Sequence, residues 1–355
     1  MKKFKHQLLV AFLFSIIWSG CSKDFSPFKI LHNDNRTEEW VFMGPDSVHF
    51  YRIRLFGDYL YGLSVSQGLY RIKKYKTNEW EFLGLAGLKK GYAFGLSDFL
   101  VLNDTIIAAG SDHLYRSTDN GVTWDTTSFI GYSFTFGQSS HDKSIVIVGN
   151  YEAQMFITKD FGRTWKKCYD QFNLGGCWVD FQVIKFNPNN TNEIWAGARS
   201  WYPNAFVTRS IDGGMNWTTI IEANESPEGK DYMDWIFSIA FSPVKDSAVY
   251  LGMRRVWKTT DNCKTFTEFF NVFPDSTPQN KVNGFYHSIA INPDDSEEIF
   301  ISESSKGVFH TLDNGKTWKN YNLSDKTLGY SYIVVDWVNR ILFVLVSRHI
   351  YKLYF

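Results

Sequence analysis

Short apolar runs alternate with polar turns along almost the whole chain. Val183-Ile-Lys-Phe-Asn-Pro188 is followed by Glu193-Ile-Trp-Ala-Gly197, and Ile239-Ala-Phe-Ser-Pro243 by Ala248-Val-Tyr-Leu-Gly252. Ile289-Ala-Ile-Asn-Pro293 is followed by Glu298-Ile-Phe-Ile-Ser302 in the same way. The runs are short, rich in β-branched and aromatic residues, and bounded by Asn, Pro and Gly, so they predict strands. The pattern also recurs as a block. Each block reads as four antiparallel strands over about 45 residues.

Five blocks carry a common turn: Ser117-Thr-Asp119-Asn-Gly121-Val-Thr123-Trp124, Thr158-Lys-Asp160-Phe-Gly162-Arg-Thr164-Trp165, Ser210-Ile-Asp212-Gly-Gly214-Met-Asn216-Trp217, Thr259-Thr-Asp261-Asn-Cys263-Lys-Thr265-Phe266 and Thr311-Leu-Asp313-Asn-Gly315-Lys-Thr317-Trp318. Their aspartates are 41, 52, 49 and 52 residues apart. This pattern resembles the Asp-box, or bacterial neuraminidase repeat, and the five copies cover most of the chain. A tight hairpin explains the residue types. Aspartate and the leading hydroxyl satisfy backbone groups of the turn, glycine takes a positive φ, and tryptophan opens the next strand against the neighbouring block. Asp119, Asp160, Asp212, Asp261 and Asp313 are therefore expected to be structural. Cys263 in a glycine position predicts a distorted turn, since a left-handed cysteine costs about 1 kcal/mol.

Four-stranded repeats of this size imply a β-propeller. Residues 48–83 form a degenerate copy, in which Gly68-Leu-Tyr-Arg71 matches His113-Leu-Tyr-Arg116 and Trp80 stands where Trp124 does. The last copy supplies three strands, Tyr332-Ile-Val-Val-Asp336, Leu342-Phe-Val-Leu-Val346 and His349–Phe355, and then the sequence ends. Glu39-Trp40-Val-Phe-Met-Gly44 resembles Glu79-Trp80-Glu-Phe-Leu-Gly84 and provides the fourth. The expected fold is all-β: one seven-bladed propeller over residues 36–355, closed by the N-terminal strand completing the last blade. Its outer aromatics are residues 40, 80, 124, 165, 217, 266 and 318.

With 37 basic and 37 acidic side chains the chain is formally neutral, which argues against nucleic acid as a partner. Lys2, Lys3 and Lys5 precede an apolar run, Leu8 to Trp18, and then Ser19-Gly20-Cys21. This resembles a bacterial lipoprotein signal, although Trp18 stands where leucine is usual. It implies a signal peptide over residues 1–20, acylation of Cys21 and a lipidated linker over 21–35. Ser22 after the cysteine implies the outer membrane. The alternative is an ordinary secretory leader. Loss of three lysines with the leader would leave the mature chain slightly acidic. Cys168 and Cys177 flank Gly175-Gly176 and read either as a loop disulfide or as two buried thiols. No Cys/His spacing suits zinc, so neither metal nor cofactor is expected.

A ligand is expected at the channel mouth on the face opposite the turns. Loops leading into the first strands offer Tyr92, Tyr132, Trp178, Asp180, Tyr232, Asp234, Trp235, Tyr286, His287 and Tyr332. Loops between second and third strands offer Asp112, Glu152, Arg199, Trp201, Tyr202, Arg254, Arg255 and Glu303. The binding set expected is Trp178, Arg199, Trp201, Tyr202, Trp235, Arg254, Arg255, Tyr286 and His287. Aromatic faces suit sugar stacking, and arginines suit carboxylates or phosphates.

Three families with this repeat bear on function. Tyr51-Arg52-Ile53-Arg54 resembles the substrate-binding motif of sialidases without its proline, but sialidases have six blades. Xyloglucanases place a catalytic carboxylate on each of two facing propellers, and Asp180 and Asp234 are the candidates for such a pair here. Photosystem II assembly factor and sortilin propellers resemble this chain and imply protein or peptide binding. The reading is a membrane-anchored, monomeric extracytoplasmic propeller capturing a protein, peptide or carbohydrate. Glycoside hydrolysis is the alternative.

Overall fold

The computed structural model describes residues 29–31, 39–87, 95–170, 179–200, 205–222, 236–244, 248–253, 255–272, 286–323 and 331–355. Seven sheets of four antiparallel strands form a seven-bladed β-propeller. The inner strands, in blade order, are Phe50–Phe56, Asp98–Leu102, Ser133–Gln138, Val179–Phe186, Ser238–Phe241, Tyr286–Ile291 and Ser331–Asp336. The ring closes as expected. Val41–Phe42 is the outer strand of blade 7 and pairs with His349–Tyr354, placing Val41 opposite Lys352 and Phe42 opposite Tyr351. Within the stretch read as a linker, Lys29–Leu31 adds a fifth strand, parallel to Thr317–Tyr321 at the outside of blade 6.

The second strands are buried along almost their whole length, and apolar side chains of these and neighbouring strands gather into seven clusters among the described residues, one per blade interface. Each cluster includes one of the expected outer aromatics. Trp80 lies between blades 7 and 1, Trp124 between 1 and 2, and Trp165 between 2 and 3. Trp217, Phe266, Trp318 and Trp40 serve the remaining four interfaces in order. The indole N–H of Trp165, Trp217 and Trp318 donates to the carbonyl of its own turn glycine at 3.0–3.2 Å. Trp80 donates instead to Met43 O of the preceding blade, at 2.7 Å. Interfaces this tight exclude side chains in places. A β-carbon on Gly137 would lie 2.5 Å from Ile184 Cγ2 and 2.8 Å from Ile184 O of the next blade.

All five repeat turns share one hydrogen-bond pattern. In the first, Ser117 Oγ donates to Asp119 Oδ1 and accepts from Gly121 N, while Asp119 accepts from Thr123 N at 2.9 Å and Thr123 Oγ1 at 2.6 Å. The Cys263 turn keeps this pattern, with Cys263 N on Thr259 Oγ1 at 3.0 Å and Thr265 on both Asp261 oxygens. The expected distortion is absent, because Cys263 adopts the left-handed conformation at φ 66° and bears its cost. The preceding turn residue is left-handed as well, which suits Asn120, Asn262 and Asn314 and strains Phe161 at φ 57°. Cys168 has a free thiol, with Sγ 3.4 Å from Met155 O, and burial pushes its pKa up to about 12. The free-thiol reading therefore holds for Cys168. Cys177, like Cys21, lies outside the described residues.

The turn carboxylates make a pH prediction. Hydrogen bonds from the Thr123 hydroxyl, then Thr123 N–H and Ser117, pull Asp119 down to about 2, and matching bonds from Asn216 and Thr265 do the same at Asp212 and Asp261. Folded values below unfolded ones stabilise the fold above about pH 4, and that stabilisation is lost as pH falls toward 2. Denaturant midpoints are expected to drop across this window. Asp212→Asn is expected to flatten the drop; an unchanged slope counts against the turns as its source.

Candidate functional site

Two polar arrangements face the axis. The first is at the channel mouth, on the face opposite the repeat turns. Asp180 lies near the start of the blade 4 inner strand, where the pairing register sets it opposite Arg199. The Asp180 carboxylate is 4% exposed and accepts from Arg199 Nε at 2.7 and 2.8 Å. Burial pushes this carboxyl up, and the guanidinium opposes the shift. The Tyr132 and Tyr151 rings meet edge to face beside blade 4, with centroids 5.8 Å apart. The Tyr132 hydroxyl is raised first by burial, then by the neighbouring Tyr51 and Asp180. A bridge between Glu152 and Val179 ties the blade 3 loop to the blade 4 inner strand. The mouth is thus a cluster of tyrosines around one neutralised ion pair.

The other rim expectations divide. Arg255 is held within its own blade by Glu268 at 2.5 Å, which leaves it less available for a ligand. Glu303 is buried and accepts from Ser305 N and Lys306 N, so it closes its own turn. Asp112 accepts from the Tyr115 hydroxyl at 3.2 Å. Tyr92, Trp178, Trp201, Tyr202, Tyr232, Asp234, Trp235 and Arg254 lie outside the described residues. Tyr286 and His287 are described in backbone only, at the start of the blade 6 inner strand.

The second arrangement lies inside the channel, a cavity of about 420 Å³ lined by the inner strands of all seven blades. Alternate residues of one strand share a side, and both Arg52 and Arg54 reach Asp98 of blade 2. Arg54 Nη2 donates to both Asp98 oxygens at 2.8 and 2.9 Å, and Arg52 Nε lies 3.6 Å away. Asp98 also accepts from Phe136 N of blade 3 at 3.0 Å, and Arg52 donates to the Tyr332 hydroxyl of blade 7. One carboxylate therefore links three inner strands, and Arg52 extends the link to a fourth. Ser238 Oγ and Ser288 Oγ continue the girdle, bonding to Ile289 N and Ile333 O of the following blades. Burial of Asp98 raises its carboxyl, but Arg54 and Arg52 outweigh it and hold the group below the usual range.

The sequence pointed to Arg52 only through the sialidase-like motif and did not single out Asp98 or Lys185. A signal existed for Lys185. It stands in Ile184-Lys185-Phe186-Asn187-Pro188 where the sibling repeats have Ala240 and Ala290. A cation replaces a methyl group at an inner-strand position.

No protein-family model matches the chain. A xyloglucanase, Xgh74A of Acetivibrio thermocellus, is 26% identical over 140 residues, covering 34% of this chain and 16% of that protein. A Paenibacillus xyloglucanase is 31% identical over 148 residues, 35% of this chain and 13% of its own length. The chain thus matches less than a fifth of either relative. Among solved structures, the GH74 xyloglucanase of Xanthomonas campestris superposes with a TM-score of 0.68 at 15% identity, covering 89% of this chain and 53% of that one. YCF48 bound to D1 peptide superposes at 0.64 with 14% identity, covering 92% and 99%. These likenesses establish the fold. They include both an enzyme and a peptide-bound propeller.

The girdle carries its own prediction. Asp98→Asn removes the one negative charge shared by two arginines, one nearly buried and one about a third exposed. Stability is expected to fall by about 2–4 kcal/mol. A thermal midpoint equal to that of the parent protein would show that the inner strands do not depend on this pair.

Proposed function

We propose that the chain is a binding or scaffold propeller that captures a protein, peptide or glycan at its channel mouth and does not turn it over. The observation that carries this reading is the state of Asp180. Hydrolysis of a glycosidic bond needs two carboxyl groups about 5–10 Å apart, one of them free to give and take a proton. Burial raises the Asp180 carboxyl, but both of its oxygens accept from Arg199 Nε at 2.7 and 2.8 Å, so that pair must open before the carboxyl can deliver a proton to a ligand. Around it stand tyrosine rings, which suit stacking and contact burial. The superposition on the peptide-bound YCF48 propeller, over 92% of this chain and 99% of that one, supports a binding role for a ring of this kind.

The rival reading is glycoside hydrolysis, favoured by the two curated relatives named xyloglucanase. In it Asp180 and Asp234 would act together. Incubation of purified protein with xyloglucan oligosaccharides and with sialosides separates the two. No sustained turnover is expected. Turnover that disappears in Asp180→Asn would replace this proposal with the hydrolase.

The five repeat turns support membership of the Asp-box group, and the Lys2–Cys21 segment supports an acylated Cys21 holding the ring at the outer membrane of a bacterial envelope. Stable anchoring takes more than one acyl chain. In a bacterial host, full-length protein is expected in the detergent-soluble membrane fraction, labelled by a radioactive fatty acid. Cys21→Ser is expected to lose the label, and retention of label by that variant would refute the anchor.

A further inference from the structure

The channel carries more positive charge than the girdle uses. Arg52, Arg54 and Lys185 line one cavity, and Asp98 is the carboxylate that pairs with the two arginines, so these four groups carry an excess of two positive charges. Both arginines have a buried Nε atom with no hydrogen-bond partner. Lys185 lines the same cavity, and solvent reaches its side chain. Among the described residues no carboxylate lies within ion-pair distance of its ammonium. Enclosure by the surrounding strands, and then the charge of Arg54, pull its pKa down to about 8, with Arg52 adding to the effect and Asp98 opposing it. Alanine at the matching positions 240 and 290 shows that the inner strand does not require a cation there.

We propose that the central channel is an anion site, in which Lys185, Arg52 and Arg54 bind a carboxylate or phosphate group entering along the axis. The site is separate from the rim and does not depend on whether the rim captures a polymer. The chemistry selects an oxyanion. Such a group neutralises the lysine and adds negative charge beside two guanidinium groups that share a single carboxylate. The cavity of about 420 Å³ admits a small acid or the terminus of a chain. Thr135 Oγ1 is already turned to Asp98 at 3.4 Å, so the lysine, with the two arginines that share Asp98, defines the subsite.

The test uses the full chain at about pH 8, where Lys185 is partly deprotonated and open to an amine-acylating reagent. Labelling is followed by mass spectrometry with inorganic phosphate, with a short peptide bearing a free C-terminal carboxylate, and with the same peptide amidated. Sodium chloride at matched ionic strength is the control. Phosphate or the free-acid peptide is expected to slow labelling of Lys185 at least about fivefold, while the amide and chloride do not. Whichever of the first two protects identifies the source of the oxyanion. Protection by neither, or equal protection by the amide or chloride, overturns the site. A second readout is thermal unfolding of Lys185→Met. Without added anion its midpoint is expected to equal or exceed the parent's, because an unpaired cation is removed from beside two arginines. Phosphate or the free-acid peptide, whichever protects Lys185, is expected to raise the parent's midpoint and leave that of Lys185→Met unchanged. An equal rise in both proteins overturns the proposal.

Discussion

The fold depends on one packing constraint: each blade buries both faces against neighbours, and the seal at every interface is a bulky aromatic from the outer part of a blade. A four-stranded sheet of about 45 residues has too little interior to stand alone, so its two apolar faces must be covered from outside. The seven clusters meet that need in turn, with tryptophan at six interfaces and Phe266 at the seventh. The repeat turns serve the same constraint. By fixing the hairpin before the aromatic, they set the angle at which each ring enters the interface. The indole N–H returning to the turn glycine couples the two devices.

A ring of this kind fails at its seam if it fails anywhere, and the seam is reinforced. Val41–Phe42 completes blade 7, and Met43 N continues the ladder onto Ile350 O at 2.9 Å. Lys352, nearly buried, gathers the carbonyls of Lys74, Tyr75 and Lys76 across the junction with blade 1. Lys74 pairs with Asp336 of blade 7 at 2.8 Å. The Arg52–Tyr332 contact repeats the same bridging at the axis. Covalent continuity is lacking between the closing strand and the C-terminal strand beside it, and charge-assisted hydrogen bonds concentrate there.

What could be read from the sequence follows from what repeats. The turns, the aromatics and the closing strand recur at fixed offsets, so comparison of copies reveals them without coordinates. Residues that break the repeat were harder to place. Cys263 looked like a damaged turn, yet the backbone holds the glycine conformation around it. The sequence offers Asp180 and Arg199 only as separate rim groups, because the strand register that sets them opposite each other cannot be counted across a loop of uncertain length. Asp98 was missed for a related reason. Its partners are 44 and 46 residues upstream on the preceding blade, and only the packing of neighbouring inner strands around the axis brings them together.

The same constraint explains why the ligand is less legible than the fold. Interface positions answer to packing and tolerate little change, as Gly137 against Ile184 shows. Inner-strand positions at the edge of the interfaces are held less tightly: Ala240 and Ala290 are only partly buried against their clusters. Alanine suffices at the matching position in two blades, and the lysine of a third brings a cation toward two arginines with no ion pair among the described residues. A group that costs stability and supports no packing is the kind expected at a functional site. Departures from the repeat at inner-strand positions are therefore the part of this sequence in which ligand chemistry is written, and Lys185 is the clearest of them.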